Sequence, residues 1–303
     1  MKDLKIDKQN GKVAYNDLEH KYWNVSDNSK YISVTTLIGK FEQPYDKEFW
    51  SKYKALERLL NPDEWKLEKK NLLDTHKFKE EILDSYGIDK NKFLSVQQDI
   101  LDEWDETNKQ SCERGTKIHA DLENFMYDTK YNISLAKYEI GGKFECIKGQ
   151  TELTLENGIY PEYLISWEDK DGIIKLAGQI DLLIIKGNSI IIGDYKTNKE
   201  IKLKSYFDSR TKKYTMMKYP LSNLQDCNYY HYNLQLSTYA WMINKKLPEY
   251  KIEDLVMIHF NHNDKMTIYH LPYLKDEVEK MLKFYKKTTI KEQQNNRINP
   301  IIY

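Results

Sequence analysis

The chain has 303 residues, of which 40% are hydrophobic, and its 47 basic side chains balance 47 acidic ones. This length allows one large or two small domains with a substantial core, while zero net charge argues against a protein that coats nucleic acid through bulk positive charge. No apolar run approaches the ~20 residues that a membrane span needs, and the first residues lack the apolar region of a signal peptide. We therefore expect a cytoplasmic protein without a membrane partner.

Residues 1–113 are predicted to form a β-hairpin followed by a helical cap. Strand-type residues lie on both sides of a turn-rich stretch, over Val13 to Trp23 and Lys30 to Leu37. Helical periodicity then predicts three charged, amphipathic helices. They cover Tyr45 to Leu60, Asp63 to Tyr86 and Lys92 to Lys109.

Residues 114–303 are predicted to form an α/β core with a C-terminal hairpin and helix, in one compact unit. A helix opens or continues at Arg114 and runs to Tyr127, and its spacing places His119 and Glu123 on one face. Strands, a helix, a hairpin and a final helix follow. The strands cover Thr151 to Leu155, Tyr160 to Trp167 and Ile173 to Leu183; the helix contains Gln235 and Tyr239; the hairpin covers Asp254 to Leu271, and the last helix covers Leu274 to Gln293.

The stretch from Leu176 to Asn198 carries the strongest chemical signal. Two runs rich in isoleucine flank a Gly-Asn turn, which is typical of a β-hairpin. With Gly187 and Asn188 as the loop residues, Asp181 lies directly opposite Asp194. Like charges that face each other destabilise a sheet, so a cation is expected between them. Lys196 lies two residues after Asp194, and its side chain leaves the same face.

Several of these residues have an ordinary structural interpretation as well. An acid-x-Lys pattern also occurs at Glu64 and Lys66, and charged strand ends usually face solvent. His119 could be a structural histidine on its helix, and Gln235 and Tyr239 could belong to a half-buried helix face. Glu162 could face the site or the solvent, because strand register does not follow from sequence alone.

Basic residues concentrate in two stretches of this neutral chain. Lys196 to Lys218 contains eight basic against two acidic residues, and Lys280 to Arg297 contains six against one. Such stretches could hold a phosphate backbone locally, or they could be solvated lysine-rich segments. The three cysteines have no Cys-x-x-Cys spacing, so neither a zinc site nor an iron–sulfur cluster is expected.

Four motifs in order resemble those of the PD-(D/E)XK nuclease superfamily, in its RecB-type branch. They are Gly115-Thr116…His119, Gly178-Gln179-Ile180-Asp181, Gly193-Asp194-Tyr195-Lys196-Thr197 and Gln235-x-x-x-Tyr239. The resemblance covers about Arg114 to Asn244. Within the branch, the chain is similar to phage-encoded exonucleases and to the mitochondrial genome-maintenance exonuclease. It implies a restriction-endonuclease-like core in which a central mixed sheet is flanked by helices.

The resemblance also implies roles for individual residues. Mg²⁺ or Mn²⁺ would be bound by His119, Asp181, Asp194 and the backbone carbonyl of Tyr195. Lys196 would orient the attacking water and stabilise the developing charge, and Glu162 would assist at the metal. The DNA-binding residues would be Gln235, Tyr239 and Thr197.

At the level of function, the resemblance implies a metal-dependent deoxyribonuclease that acts as an exonuclease on single-stranded or processed DNA ends in recombination and repair. Its partners would be DNA and a helicase or a single-strand-binding or annealing protein, and a virus-encoded member would act in the host cytoplasm. A structure-specific endonuclease or junction resolvase is the alternative within the class. A non-catalytic DNA-binding subunit is the alternative outside it.

Overall fold

The computed structural model describes residues 4–6, 11–16, 19–128, 157–208, 211–263 and 265–298. The chain divides into two compact units. The first comprises Met1–Gln43, Lys117–Phe207 and Tyr214–Tyr303, and the second comprises Pro44–Thr116 and Asp208–Lys213. The N-terminal strands therefore belong to the same unit as the sheet, whereas the sequence grouped them with the helical cap. The strand predicted over Thr151 to Leu155 lies outside the described residues.

The N-terminal strands form an antiparallel meander and end in a short helix. The strands are β1 (Leu4–Ile6), β2 (Val13–Asn16), β3 (Lys21–Asn24) and β4 (Lys30–Ser33). The single strand predicted over Val13 to Trp23 is wrong, because a turn with His20 at φ +50° separates β2 from β3. The strand predicted to Leu37 ends early, since Ser33 Oγ accepts the N–H of Thr36 at 3.0 Å and caps helix α1 (Val34–Gly39).

The second unit is helical and has its own apolar core. Its helices are α2 (Lys47–Leu59), α3 (Pro62–Thr75), α4 (Glu81–Ser85) and α5 (Lys90–Asp128), the last of which continues into the first unit. Asn61 and Glu64 form a capping box at the start of α3. The single helix predicted over Asp63 to Tyr86 is wrong, because His76 adopts a left-handed conformation at φ 50° and ends α3. Phe49, Leu56, Leu72, Phe93 and Ile100 are buried in the core.

The remaining strands complete a mixed sheet in the first unit. They are β5 (Gly158–Glu168), β6 (Lys175–Lys186), β7 (Ser189–Lys196), β10 (Lys251–Phe260) and β11 (Met266–Leu271), while β8 (Phe207–Asp208) and β9 (Lys213–Tyr214) form a separate two-stranded sheet. The order is β1-β2-β3-β4-β6-β7-β10-β11, with β5 also paired to β6. The β4–β6 and β7–β10 pairs are parallel and the others are antiparallel.

The hairpin predicted around Gly187 and Asn188 is present in the predicted register. Lys186 pairs with Ser189, and Ile185 pairs with Ile190. Gly187 has φ +57°, a conformation that glycine adopts without strain. Local turn chemistry therefore determines the register in which β6 and β7 pair.

Helices cover both faces of this sheet. On one face, buried residues of α1, α6 (Asn228–Lys246) and α7 (Lys275–Ile298) pack against β5, β6, β7 and β10. On the other face, Leu122 of α5 packs against an isoleucine-rich cluster that includes Ile184, Ile191 and Ile258. The predicted α/β class, with a central mixed sheet flanked by helices, is confirmed. None of the described helices combines the length and apolar composition required to cross a lipid bilayer.

Candidate metal and active site

The candidate site lies at a gap along one edge of β6. Strand β5 pairs with β6 along nearly its whole length, so β4 and β7 must share the other edge. There β4 pairs with residues up to Ala177, and β7 pairs with residues from Leu182 onwards. Residues 178–181 lie between the two. Side chains and helix residues can therefore approach the β6 backbone at this gap, next to Asp181.

Asp181 occupies the point where β7 turns away from β6. The last backbone pair of this hairpin among the described residues is Leu182 with Gly193, and Asp181 Oδ2 then accepts the N–H of Tyr195 at 2.7 Å. Burial of Asp181 and the neighbouring charge of Asp194 raise the pKa of the Asp181 carboxyl. The metal-free site thus disfavours the ionised form of Asp181.

Asp194 and Lys196 form a buried ion pair at the end of β7. Lys196 Nζ contacts Asp194 Oδ2, and the side chains are 15% and 2% exposed. Burial alone would lower the pKa of Lys196, but Asp194 and Asp181 outweigh it and raise that pKa above its ordinary value. Lys196 is therefore a fixed positive charge within the site.

Gln235 and Tyr232, both on α6, hold this ion pair in place. Gln235 Nε2 donates to Asp194 Oδ1 at 3.0 Å, and Lys196 Nζ donates to Gln235 Oε1 at 3.3 Å. The ring of Tyr232 lies 4.5 Å from Lys196 Nζ, a cation–π distance. The ammonium group consequently has one carboxylate, one amide oxygen and one aromatic face as neighbours, and these fix its direction.

His119, Glu162 and Asp181 form the group that could bind a metal ion. One ligand atom from each residue lies within 4.8 Å of the others. His119 Nδ1 lies 3.5 Å from Asp181 Oδ2 and 3.7 Å from Glu162 Oε1, while His119 Nε2 lies 3.1 Å from the carbonyl oxygen of Tyr195. Two carboxylates and an imidazole are ligands that divalent cations accept, so the residues present fit a divalent cation.

The protonation of His119 follows from this cluster of charge. Burial alone would lower the pKa of His119, but Glu162, Asp181 and Asp194 raise it to about 9. In the metal-free protein a proton on the imidazole partly neutralises the carboxylates. A divalent cation would take over that compensating role.

Glu162 reaches this cluster through a break in β5. Pro161 pairs with Leu182 and Tyr163 pairs with Ile180, while Glu162 between them has φ +49°. Such a conformation is uncommon for a residue other than glycine. The Glu162 side chain faces His119, and Gln179 Nε2 donates to Glu162 Oε2. Of the two orientations that the sequence left open, Glu162 adopts the one towards the site.

Gly178 and Tyr239 explain how α6 comes so close to β6. A Cβ atom built on Gly178 would lie 2.5 Å from Tyr239 Cε1 and 2.9 Å from Tyr239 Oη. The Tyr239 hydroxyl in turn lies 3.4 Å from Gln235 Nε2. The glycine therefore leaves the space that lets Tyr239, and with it Gln235, reach the site.

The predicted site residues are thus brought together around the end of the hairpin. Gln235 and Tyr239 are buried, at 7% and 3% exposure, and lie beneath the ion pair rather than on the surface. Thr197 is half-buried directly after β7, and its contact with DNA stays a prediction, as does Asp194 as a metal ligand.

Two contributors were missed. Tyr232 precedes Gln235 by three residues, a helical spacing that could have indicated it, and Gln179 lies inside a motif without an assigned role.

The sequence matches no protein-family model and no curated protein. Five chains among solved structures match it. SSO0001 is 15% identical, with a TM-score of 0.35, over 87% of this chain and 76% of its own. A candidate exonuclease from Eubacterium rectale is 12% identical, with a TM-score of 0.33, over 90% of this chain and 89% of its own. Similarities of this size leave the function to be argued from the site itself.

Proposed function

We propose that this protein is a Mg²⁺- or Mn²⁺-dependent deoxyribonuclease that hydrolyses phosphodiester bonds, acting as an exonuclease on single-stranded or processed DNA ends in phage or cellular recombination and repair. One observation carries the proposal. His119, Glu162 and Asp181 gather metal-type ligands beside the buried ion pair of Asp194 and Lys196. Carboxylates that share a site with a fixed lysine suit the hydrolysis of a phosphate ester, because the attacking water and the charged phosphate both need cationic partners.

The cation would be held by His119, Asp181 and Glu162, with Asp194 and the Tyr195 carbonyl nearby. When bound, Mg²⁺ or Mn²⁺ supplies a Lewis acid for the phosphate and lowers the pKa of the attacking water. Contacts with Asp194, Gln235 and Tyr232 fix the direction of the Lys196 ammonium group. In the proposal it orients the water and stabilises the negative charge that develops on the phosphate. Gln179 fixes the direction of the Glu162 carboxylate.

The direct test offers the purified protein linear and circular DNA, each single-stranded and double-stranded, with EDTA, Mg²⁺ or Mn²⁺. We expect degradation of linear substrates with either metal and none with EDTA. Cleavage of circular DNA would instead support an endonuclease. An Asp181→Asn preparation made in parallel controls for contaminating nucleases. Binding of DNA without hydrolysis under every metal condition would contradict the proposal and favour a non-catalytic DNA-binding subunit.

Lys196 provides the sharpest test of mechanism. Loss of one electrostatic stabiliser should reduce the turnover of Lys196→Ala by about 10²–10³-fold, with little change in DNA affinity measured in Ca²⁺. Lys196→Arg should not restore turnover, because a planar guanidinium does not replace a compact ammonium. The control is Lys199→Ala, which removes an exposed lysine three residues away. A large loss of affinity in Lys196→Ala with unchanged turnover of bound DNA would make Lys196 a simple backbone contact.

A further inference from the structure

A cluster of exposed aromatic and basic side chains follows the site along the chain. We call it the aromatic-basic surface. It consists of the exposed residues Lys202, Leu203, Lys204, Tyr206 and Phe207, together with the half-buried Tyr214. Nine large apolar side chains are exposed among the described residues, and three of them, Leu203, Tyr206 and Phe207, lie within five consecutive positions. So dense a group of exposed apolar side chains indicates a binding surface.

The backbone beneath this surface is held by hydrogen bonds within the first unit. Asn228 of α6 accepts the N–H of Lys202 at 2.8 Å and donates to the carbonyl of Glu200 at 3.1 Å. Gln225 Oε1 accepts the N–H of Ser205 at 3.0 Å. The carbonyl of Tyr206 accepts the N–H of Thr215 at 2.9 Å. The exposed rings therefore project from an anchored backbone, which reduces the entropy lost on binding.

The segment that carries this surface is also tied to the candidate site. Tyr232, whose ring covers Lys196 Nζ, donates its hydroxyl to Asn198 Oδ1 at 2.7 Å. The Asn198 carbonyl accepts a hydrogen bond of 2.7 Å from Nε2 of His259, a residue of β10. The chain from Lys196 to the aromatic-basic surface thus leaves the site at a fixed point. The surface therefore begins four residues after an anchored position, Asn198, that contacts the neighbour of Lys196.

The chemistry of the surface selects one kind of occupant. Tyr206 is 63% exposed and presents a ring to solvent, and the Phe207 and Tyr214 rings pack edge to face with centroids 5.1 Å apart. Lys204 Nζ lies 6.0 Å from the Tyr214 ring centroid, and Glu200 lies 3.9 Å from Lys202 as an exposed ion pair. Exposed rings with interspersed lysines match unstacked bases and their phosphates. A duplex keeps its bases stacked and offers no free base faces to these rings.

We propose that the aromatic-basic surface binds single-stranded DNA by base stacking on Tyr206 and Phe207, with Lys202 and Lys204 contacting its phosphates. This inference rests on the proposed function and deepens it, because it makes a single strand, rather than a duplex, the preferred substrate.

The experiment measures binding by fluorescence anisotropy in Ca²⁺, with a single-stranded oligonucleotide, its duplex and a matched oligonucleotide made of abasic units. We expect the wild-type protein to bind the normal strand most tightly. The Tyr206→Ala/Phe207→Ala variant should lose about 10- to 100-fold in affinity for it, given the usual contribution of base–aromatic stacking. The same variant should bind the abasic strand as the wild type does. Tyr45→Ala, which removes a 66% exposed tyrosine elsewhere, is the matched control and should bind like the wild type.

The lysines are tested separately through the salt dependence of binding. Lys202→Ala/Lys204→Ala should reduce the slope of log affinity against log salt by about 0.7 for each phosphate of a single strand that a lysine no longer neutralises. Circular dichroism should be unchanged in all variants, because the substituted side chains are exposed.

The outcomes separate this inference from the proposed function. If the wild type degrades DNA but the aromatic double variant binds the normal strand as tightly, or if normal and abasic strands bind equally, the inference is overturned and the nuclease stands. If the protein binds single strands through Tyr206 and Phe207 but degrades no DNA with any metal, the proposed function fails and the binding surface stands. Preferential binding to anionic lipid vesicles over single-stranded DNA would also overturn the inference.

Discussion

The two facing carboxylates should respond in opposite directions when each is neutralised in the metal-free protein. Sequence alone treats Asp181 and Asp194 as a like-charge pair, so it predicts that either Asn variant stabilises the protein without metal. The structure separates them. Asp194 has Lys196 as its counter-ion, whereas Asp181 faces His119 and Glu162 and has a raised pKa.

Asp181→Asn should raise the melting temperature in EDTA. The amide keeps an oxygen to accept the Tyr195 N–H and removes a charge that burial and Asp194 disfavour. One pKa unit corresponds to ~1.4 kcal/mol, so we expect a gain of roughly 1–3 kcal/mol at pH 7. The folded-state pKa lies above the unfolded one, so this cost of ionisation grows as the pH rises above the unfolded value. The gain should therefore disappear near pH 3.

Asp194→Asn should lower the melting temperature under the same conditions. It leaves the buried Lys196 ammonium without its carboxylate partner, while the Gln235 amide oxygen and the Tyr232 ring remain beside it. Loss of one partner of a buried pair typically costs 3–5 kcal/mol, and the retained neighbours reduce this to roughly 2–4 kcal/mol. At roughly 2–4 °C per kcal/mol for a unit of this size, the expected decrease is about 4–16 °C.

Differential scanning calorimetry in EDTA at pH 7 and pH 3 measures both effects. The control is the double variant Asp194→Asn/Lys196→Met, which removes both charges and should recover most of the stability lost in Asp194→Asn. A higher melting temperature for Asp194→Asn than for the wild type, or a double variant less stable than Asp194→Asn, would refute the division of charge between the two carboxylates.

Three further predictions concern neighbouring parts of the first unit. Gly178→Ala should destabilise the protein by about 1–3 kcal/mol, as overpacking does, because the added Cβ would meet the Tyr239 ring. The control is Gly39→Ala, whose added Cβ would have no atom within 4 Å. Equal melting temperatures of the two variants would contradict the close approach of Tyr239 to Gly178. His119→Ala should weaken Mn²⁺ binding more than Mg²⁺ binding in calorimetric titrations, since imidazole suits the softer ion; equal losses would remove His119 from the ligands. Lys286→Met should lower the melting temperature at pH 7, because Lys286 and the Ile174 N–H outweigh burial and lower the pKa of Asp169. Since that carboxylate stabilises the fold above its unfolded pKa, the difference should vanish as the pH falls through the lowered value, and a difference that persists at about pH 2 would contradict it.

Local sequence was sufficient for the hairpin that carries the site. The isoleucine runs and the Gly187-Asn188 turn determine the pairing of Lys186 with Ser189, and this register brings Asp181 and Asp194 to the same end. Turn chemistry acts between neighbours in sequence, so it can be predicted without the rest of the fold. The helix predicted from Tyr45 begins at Lys47 instead, because Asp46 accepts the N–H of Phe49 at 2.9 Å and caps α2.

Glu162 illustrates why the remainder could not be predicted. Side chains on β5 switch faces at this residue, since Tyr160 and Tyr163, three positions apart, both belong to the same buried cluster. Strict alternation along a strand would put them on opposite faces. The switch coincides with φ +49° at Glu162 and with the corresponding step at Asp181 on β6, where Ile180 and Leu183 also share a cluster. A break of this kind depends on packing between both strands, which no periodicity in either strand reveals.

The positions of the carboxylates also explain how the site would hold two cations, the Lys196 ammonium and a divalent metal ion. The sequence predicted one cation between Asp181 and Asp194. That cation stays a prediction; in the metal-free protein Lys196 forms an ion pair with Asp194, whereas Asp181 and Glu162 lie beside His119. A divalent ion is attracted most strongly where carboxylates lack a permanent counter-ion, so it would bind on the Asp181 side and leave Lys196 with its own partner. In the proposed reaction Lys196 would then keep Asp194 as its own partner, and a cation held by Asp181 and Glu162 would not compete with it for that carboxylate.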